Sequence, residues 1–218
     1  MPFSARNLRP VISRIHSASG PEFEGLVRIY SDAHPSSERK SVQALAAMVA
    51  RPDYYFFVAS RETSILGFAI VLCFAESDAC LLEYMAVGSE MRNHGIGRLL
   101  FAEAVAQPDI ATRFLLAEVD SDKLPSPSST LNTRRKSFYR RLGCREIEGL
   151  NYRMPLVSTA LPPPMDLLVY KNDLPPALSR IQLHSWLQSC YVQVYGRPQN
   201  DPAINAMLLD LPASLRLI

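Results

Sequence analysis

The chain has 218 residues, 48% hydrophobic and 20% charged, which suits a globular protein of one sizeable domain, or one domain plus an extension. A formal net charge of only +2 gives no strong pull toward nucleic acid or an anionic membrane surface. The cysteines, Cys73, Cys80, Cys144 and Cys190, form no C-x-x-C pair, which excludes zinc-ribbon and dithiol redox readings and fits reduced thiols in a cytoplasmic protein.

No apolar run reaches the roughly 18 residues of a membrane span. The first residues, MPFSARNLRPVISRI, lack the apolar core of a signal peptide. Val11 to His16 reads as a short first strand. Gly20-Pro21-Glu22 signals a helix start, and Phe23, Leu26, Val27 and Tyr30 then recur at helical spacing. A polar loop, Ser31 to Lys40, separates this helix from a second stripe of Val42, Leu45, Ala46 and Val49, which Arg51-Pro52-Asp53 stops. A β meander follows: Tyr54 to Ser60, Ile65 to Phe74 and Ala79 to Val87, all rich in aromatic and β-branched residues.

The period then changes. Ile96, Leu99, Leu100 and Ala104 are helix-spaced, and Gln107-Pro108 ends that helix. Phe114 to Asp120 is a strand, and Leu124 to Thr130 a Pro/Ser-rich loop. Ser137 to Leu142 belongs to a helix that Gly143 terminates. Cys144 to Ile147 and Asn151 to Leu156 are predicted as the two last strands. Proline then becomes frequent, and Pro162-Pro163-Pro164 marks a stiff connector. Beyond it, Ser179 with Gln182 resembles a capping box before the stripe Leu183, Leu187, Cys190, Val194. Asp201-Pro202 opens a last short helix. The expected organisation is a domain over residues 1–157 and a Pro-rich connector with a helical C-terminal extension over 158–218.

The segment Leu81 to Leu100, LLEYMAVGSEMRNHGIGRLL, carries the most chemistry. A strand enters the loop Arg92-Asn93-His94-Gly95-Ile96-Gly97 and leaves it directly as a helix. Glycine lets backbone approach a ligand closely, and the free N–H groups and dipole of a helix start favour a phosphate. Arg92 adds a cationic donor. The spacing is neither G-x-G-x-x-G nor G-x-x-x-x-G-K-[ST], so dinucleotide-fold and P-loop readings fail.

This loop resembles the Gln/Arg-x-x-Gly-x-Gly/Ala signature of the GNAT acetyltransferase superfamily. Met85-Ala86-Val87 before it resembles that family's central strand. Asn132 and Tyr139, in NTRRKSFYRRLGC, resemble its Asn…Tyr…Leu-Gly-Phe segment, with Cys144 where Phe is usual. The resemblance covers Val11 to Leu156. It implies an α/β (α+β) GNAT fold: a central mixed, mostly antiparallel sheet, splayed between strands 4 and 5 and flanked by helices. It also implies acetyl-CoA as co-substrate. Cofactor contact falls to Met85, Ala86, Val87, to Arg92, Asn93, His94, Gly95, Ile96, Gly97 and Arg98, and to Asn132 and Tyr139. The Val87 N–H would polarise the thioester carbonyl in the manner of an oxyanion hole, and Tyr139 would protonate the departing thiolate.

Transfer to an amine also needs a base, because an aliphatic ammonium is protonated at neutral pH. Strand alternation puts Glu83 on the same face as Met85 and Val87, and Glu118 and Asp120 on the face of Leu116. A carboxylate inside an apolar strand is costly unless paired or functional, which makes Glu83 and Glu118 the candidate bases. Asp120 is expected to be solvated or to cap a loop. The basic run Arg134 to Arg141 could meet the CoA 3′-phosphate or form a solvated helix face. His16, His34 and His184 show no ligand spacing, so no metal is expected.

The expected reaction is direct transfer from acetyl-CoA to a primary amine on a small molecule. A protein or peptide amine, a longer acyl donor and a non-catalytic acyl-CoA-binding module stay open. In this fold the loop between the first two helices shapes the acceptor pocket, here with Glu38 and Arg39 as polar candidates. The tail, with Trp186, Tyr191 and Tyr195, could cover that pocket, pack on the sheet or make a homodimer contact.

Overall fold

The computed structural model describes residues 9–36, 39–123, 128–155 and 164–218. Its strands form a mixed, mostly antiparallel sheet in the order β1-β2-β3-β4-β5-β7-β6, with a separate two-stranded sheet of β8 and β9. These are β1 Val11–Ile15, β2 Tyr54–Arg61, β3 Ser64–Cys73, β4 Ala79–Val87, β5 Phe114–Asp120, β6 Arg145–Glu146, β7 Met165–Tyr170, β8 Ala177–Ser179 and β9 Ser214–Arg216. The helices are α1 Pro21–Ala33, α2 Val42–Val49, α3 Ile96–Ala106, α4 Pro108–Ala111, α5 Ser129–Arg141, α6 Arg180–Ser189 and α7 Pro202–Leu208. No described helix is long and apolar enough to cross a membrane. The chain divides into two compact units, one up to Val71 with Tyr84–Ala104, the other Leu72–Glu83 with Val105–Ile218.

In the first unit, β1 lies antiparallel to β2, from Val11↔Ser60 to Ile15↔Phe56. Tyr54 to Ala59 on β2 are all buried, the mark of a strand covered on both faces. Helix α1 starts with Pro21 and carries Glu22 and Glu24 in its first turn, where the helix dipole favours them. It buries Phe23, Leu26, Ile29 and Tyr30. Ser41 caps α2, its Oγ accepting from the Ala44 N–H at 3.1 Å.

In the second unit, β4 and β5 are parallel, but their ladder runs only from Ala79↔Phe114 to Leu82↔Ala117. On its other side β5 pairs antiparallel with β7, from Leu115↔Tyr170 to Asp120↔Met165. Strand β6 pairs with β7 in turn. Helix α6 buries Leu183, Trp186 and Leu187, with the Trp186 ring 4.8 Å from that of Phe114. Its N-cap is Ser179, accepting from the Gln182 N–H at 3.1 Å, and Asp201 caps α7 through the Ala203 N–H at 3.0 Å.

Four elements differ from the sequence reading. Asn151 to Pro155 is irregular rather than a strand, and Leu156 lies outside the described residues. Its apolar pattern reflects burial of Tyr152 and Pro155 side chains, and proline has no N–H to give a ladder. The strand beside β5 comes instead from Met165–Tyr170, within the segment read as an extension, where Leu167, Leu168 and Val169 are buried. Helix α5 begins at Ser129, well before Ser137, because its buried face is Asn132, Lys136 and Tyr139, a polar stripe that hydrophobic periodicity does not reveal. Pro108 closes α3 but also opens α4, as proline at a first helical position can.

Candidate active site

The loop and the end of β4 before it, from Tyr84, belong to the first unit. Met85, Ala86 and Val87 end β4 and are half-buried. Gly88 follows, its N–H donating to the Leu66 carbonyl at 2.9 Å. A single 3₁₀ turn, Ser89–Met91, leads to Arg92. Asn93 and Gly95 then take left-handed backbone, with φ of 65° and 79°. Asn tolerates that conformation better than most residues, and Gly pays no steric cost in it. A Cβ built on Gly95 meets nothing within 4 Å, so open space adjoins the loop there.

Helix α3 begins at Ile96, and its first turn closes with the Leu99 N–H on the Gly95 carbonyl at 3.2 Å. The N–H groups ahead of Leu99 have no acceptor within the helix, the usual state of a helix start. Arg92, Asn93, His94, Gly95 and Arg98 are exposed, Gly97 half-buried and Ile96 buried. The His94 ring turns back on its own loop, Nδ1 lying 2.9 Å from the Arg92 carbonyl. Arg39, from the loop after α1, donates to the Ser31 carbonyl at 3.1 Å, whereas Glu38 lies outside the described residues.

The titratable candidates belong to the second unit. Glu118 on β5 accepts a hydrogen bond on each oxygen: Tyr152 donates to Oε1, and Tyr195 to Oε2 at 2.5 Å. Burial holds both phenols well above their ordinary value, and the Glu118 charge pushes them further the same way. The charge of Glu83, half-buried on β4, is felt at Tyr195 and at the buried Cys190 thiol. Glu118, Tyr152 and Tyr195 form one hydrogen-bonded group, and Tyr152 and Tyr195 are partners that sequence reasoning missed. They stand 34 and 77 residues from Glu118, and no local motif joins them to it.

Asn132 and Tyr139 lie two helical turns apart on α5 and share its buried face. Asn132 Nδ2 donates to the Ser121 carbonyl at 3.3 Å, just past the end of β5. Burial pushes the Tyr139 phenol up, with a smaller push from Cys144, so the hydroxyl keeps its proton at neutral pH. Between them Lys136, also buried, contacts Asp122 at 2.8 Å, Glu146 at 2.9 Å and Asp166 at 2.7 Å. Lys123 bridges to Glu146 and Asp166, and Arg140 to Glu146. Arg135 pairs with Asp120. The basic run on α5 is thus neither a wholly solvated face nor wholly available to a phosphate, since three of its cations are held by carboxylates.

Residues 52–146 match the family model of the acetyltransferase (GNAT) domain. No curated protein matches the sequence. Among solved structures, a Bacteroides thetaiotaomicron protein assigned to the GNAT family superposes with a TM-score of 0.67 at 19% identity, over 86% of this chain and 99% of that one. A GNAT-family protein of Desulfovibrio desulfuricans gives 0.55 at 19% identity, over 74% and 98%. A GNAT acetyltransferase of Elizabethkingia anophelis, solved with acetyl-CoA bound, gives 0.50 at 17% identity, over 75% and 98%. At such identities the likeness establishes the fold. The chain thus has the fold of these GNAT-family structures, and its residues 52–146 match the GNAT acetyltransferase domain.

Proposed function

We propose that the protein transfers an acetyl group from acetyl-CoA directly to a primary amine on a small molecule, as a cytoplasmic enzyme. The observation that carries this reading is the loop Arg92 to Gly97: two left-handed residues, open space at Gly95 and a helix start immediately after. That combination suits a pyrophosphate, which the N–H groups of His94 to Gly97 would hold, with Arg92 and Arg98 adding charge. The bound acetyl-CoA of the Elizabethkingia protein supports the same choice of donor.

Each chemical role then falls to one group. The Val87 N–H polarises the thioester carbonyl as negative charge develops on its oxygen. Glu83 takes the proton that the ammonium must lose, directly or through water. Glu118, its two oxygens fixed by phenols, anchors the ammonium beside Glu83. The free amine attacks the carbonyl carbon, the C–S bond breaks, the thiolate takes the Tyr139 proton, and the proton the nitrogen loses as it becomes an amide returns through water to the Tyr139 phenolate. Tyr139 is suited to this because its buried phenol is still protonated when the thiolate leaves. Asn132, tied to the end of β5, would meet the cofactor arm.

Thiol release from acetyl-CoA across a broad panel of amines, with CoA binding by calorimetry, tests the reading. The expected result is micromolar CoA binding and turnover with a subset of small amines. Binding without turnover would reduce the protein to an acyl-CoA-binding module. No binding at all would sink the assignment of the loop.

A further inference from the structure

We infer that Tyr195, on the C-terminal segment, is a positioning residue for the acceptor side of the reaction, acting through its hydrogen bond to Glu118. The inference rests on the acceptor role proposed for Glu118. It extends the machinery to a segment beyond residue 146, where the family match ends.

The geometry is specific. Tyr195 Oη donates to Glu118 Oε2 at 2.5 Å while Tyr152 Oη donates to Oε1, so the carboxylate is gripped from both sides. Two donors on two oxygens suit an ionised carboxylate, which only accepts, and charge-assisted bonds of this kind are about twice as strong as neutral ones. With one phenol missing, the carboxylate could rotate about its last side-chain bond. With both present its orientation is fixed.

The segment that delivers Tyr195 is shaped for this placement. Helix α6 does not run on as an α-helix but widens into a π turn, Cys190–Val194, with Tyr195 as its C-terminal cap. A π turn delays the rotation of the helix, so the residue after it faces a direction that an unbroken α-helix would not give it. Such turns are rare, because their hydrogen-bond geometry is poor. The residues that follow, Gly196 to Asn200, are exposed, and the Arg197 N–H closes the turn on the Tyr191 carbonyl at 2.8 Å. The turn brings the Tyr195 hydroxyl onto Glu118.

The platform beneath the turn is rigid. Trp186 is fully buried, and its Nε1 donates to Asp78 Oδ1 at 2.6 Å, while Gln182 donates to Oδ2 at 2.6 Å. Tyr191, inside the π turn, donates to the Arg153 carbonyl at 2.5 Å, next to Tyr152. The segments carrying the two phenols are therefore tied to each other as well as to Glu118.

The test is a double-mutant cycle of Tyr195→Phe and Glu118→Gln, read as kcat and KM for the fastest amine of the panel, with calorimetric CoA affinity and thermal unfolding alongside. Tyr195→Phe keeps the ring and removes only the hydroxyl. The expected result is a roughly tenfold loss in kcat/KM for the amine, the size of one hydrogen bond to a charged group, with CoA affinity unchanged. On the Glu118→Gln background the same substitution should cost much less. A Tyr195→Phe enzyme that loses thermal stability but keeps its kinetics would overturn the inference, as would losses that simply add. If Glu118→Gln leaves the amine kinetics untouched, the role of Glu118 itself fails. Loss with Glu118→Gln but none with Tyr195→Phe leaves that role standing and removes only Tyr195.

Discussion

Tyr139 shows how one residue answers two demands. It packs the buried face of α5, with Phe138 edge-on at 5.2 Å, and burial keeps its phenol protonated. The direction of that shift keeps the proton on the hydroxyl at neutral pH, so in the proposed reaction Tyr139 can act as a proton donor and not as a base. Tyr139→Phe should therefore lower kcat by about 10²- to 10⁴-fold while leaving KM for acetyl-CoA nearly unchanged. Steady-state kinetics at saturating amine would check this, and a kcat within about twofold of the parent would remove Tyr139 from the chemistry. Its neighbour Cys144, pushed up to about 12 mainly by burial, is no rival nucleophile. The placement of Tyr139 beside Asn132 on one helix face was legible in the sequence because their spacing is local. Glu118 was legible only in part: strand alternation marked it as a carboxylate needing a partner, but the partners come from distant segments. Long-range hydrogen bonds leave no trace in a single chain's local pattern.

The same contrast holds for whole elements. The meander and β5 could be read because their apolar runs are nearly continuous, and strand bounds followed from the turn residues between them. The first half of α5 could not, because its buried face is held by charge. Burial alone would raise Glu146 and Asp166 above their ordinary values of 4.5 and 3.8, yet hydrogen bonds from Lys136 and Lys123 hold both below them. Groups depressed on folding stabilise the fold above their unfolded values, and that stabilisation is lost as pH falls through the folded ones. Stability should thus decline as pH drops below about 4.5. Lys136→Met, which strands buried carboxylates, should cost about 3–5 kcal/mol at neutral pH and flatten the acid slope. Urea unfolding from about pH 7 to about pH 3 reads both effects, and a variant as stable as the parent would show the network to be dispensable. A second element-scale case is Gly67 on β3. A Cβ there would lie 2.9 Å from the Ala86 carbonyl oxygen, 3.2 Å from Leu100 and 3.3 Å from Ile96. Backbone oxygen yields little, so Gly67→Ala should press on β4 and the start of α3 together. The expected outcome is about tenfold weaker CoA binding with a stability loss of about 1–3 kcal/mol. Unchanged affinity by calorimetry would mean that the loop does not depend on the strand beneath it.

At the scale of the molecule, the sequence pointed to a candidate cofactor loop and to a resemblance to one family. The connector Pro162-Pro163-Pro164 suggested a boundary at residues 157 and 158, because stiff proline runs usually separate domains. Sheet pairing leads to a different expectation for folding. Strand β5 has only a four-position ladder to β4 but pairs with β7 at every position from Leu115 to Asp120. Strand β6 pairs with β7, and Glu146 exchanges both backbone hydrogen bonds with Ile218, each at 2.9 Å. Trp186 from α6 covers Phe114 and fixes Asp78. A chain ending at residue 157 would leave β5 as a bare apolar edge, with Phe114, Leu115, Leu116 and Ala117 losing cover, the arrangement that drives edge-to-edge aggregation. It would also lack Tyr195, and with it one of the two donors to Glu118. Residues 1–157 expressed alone should therefore be insoluble, or soluble without a cooperative unfolding transition, while the full chain unfolds cooperatively. Circular dichroism through a urea gradient distinguishes these. A soluble 1–157 fragment that unfolds cooperatively and binds CoA would place the folding boundary where the prolines suggest and make the later strand an accessory. A fragment that fails would make the C-terminal segment part of the same folding unit as β5.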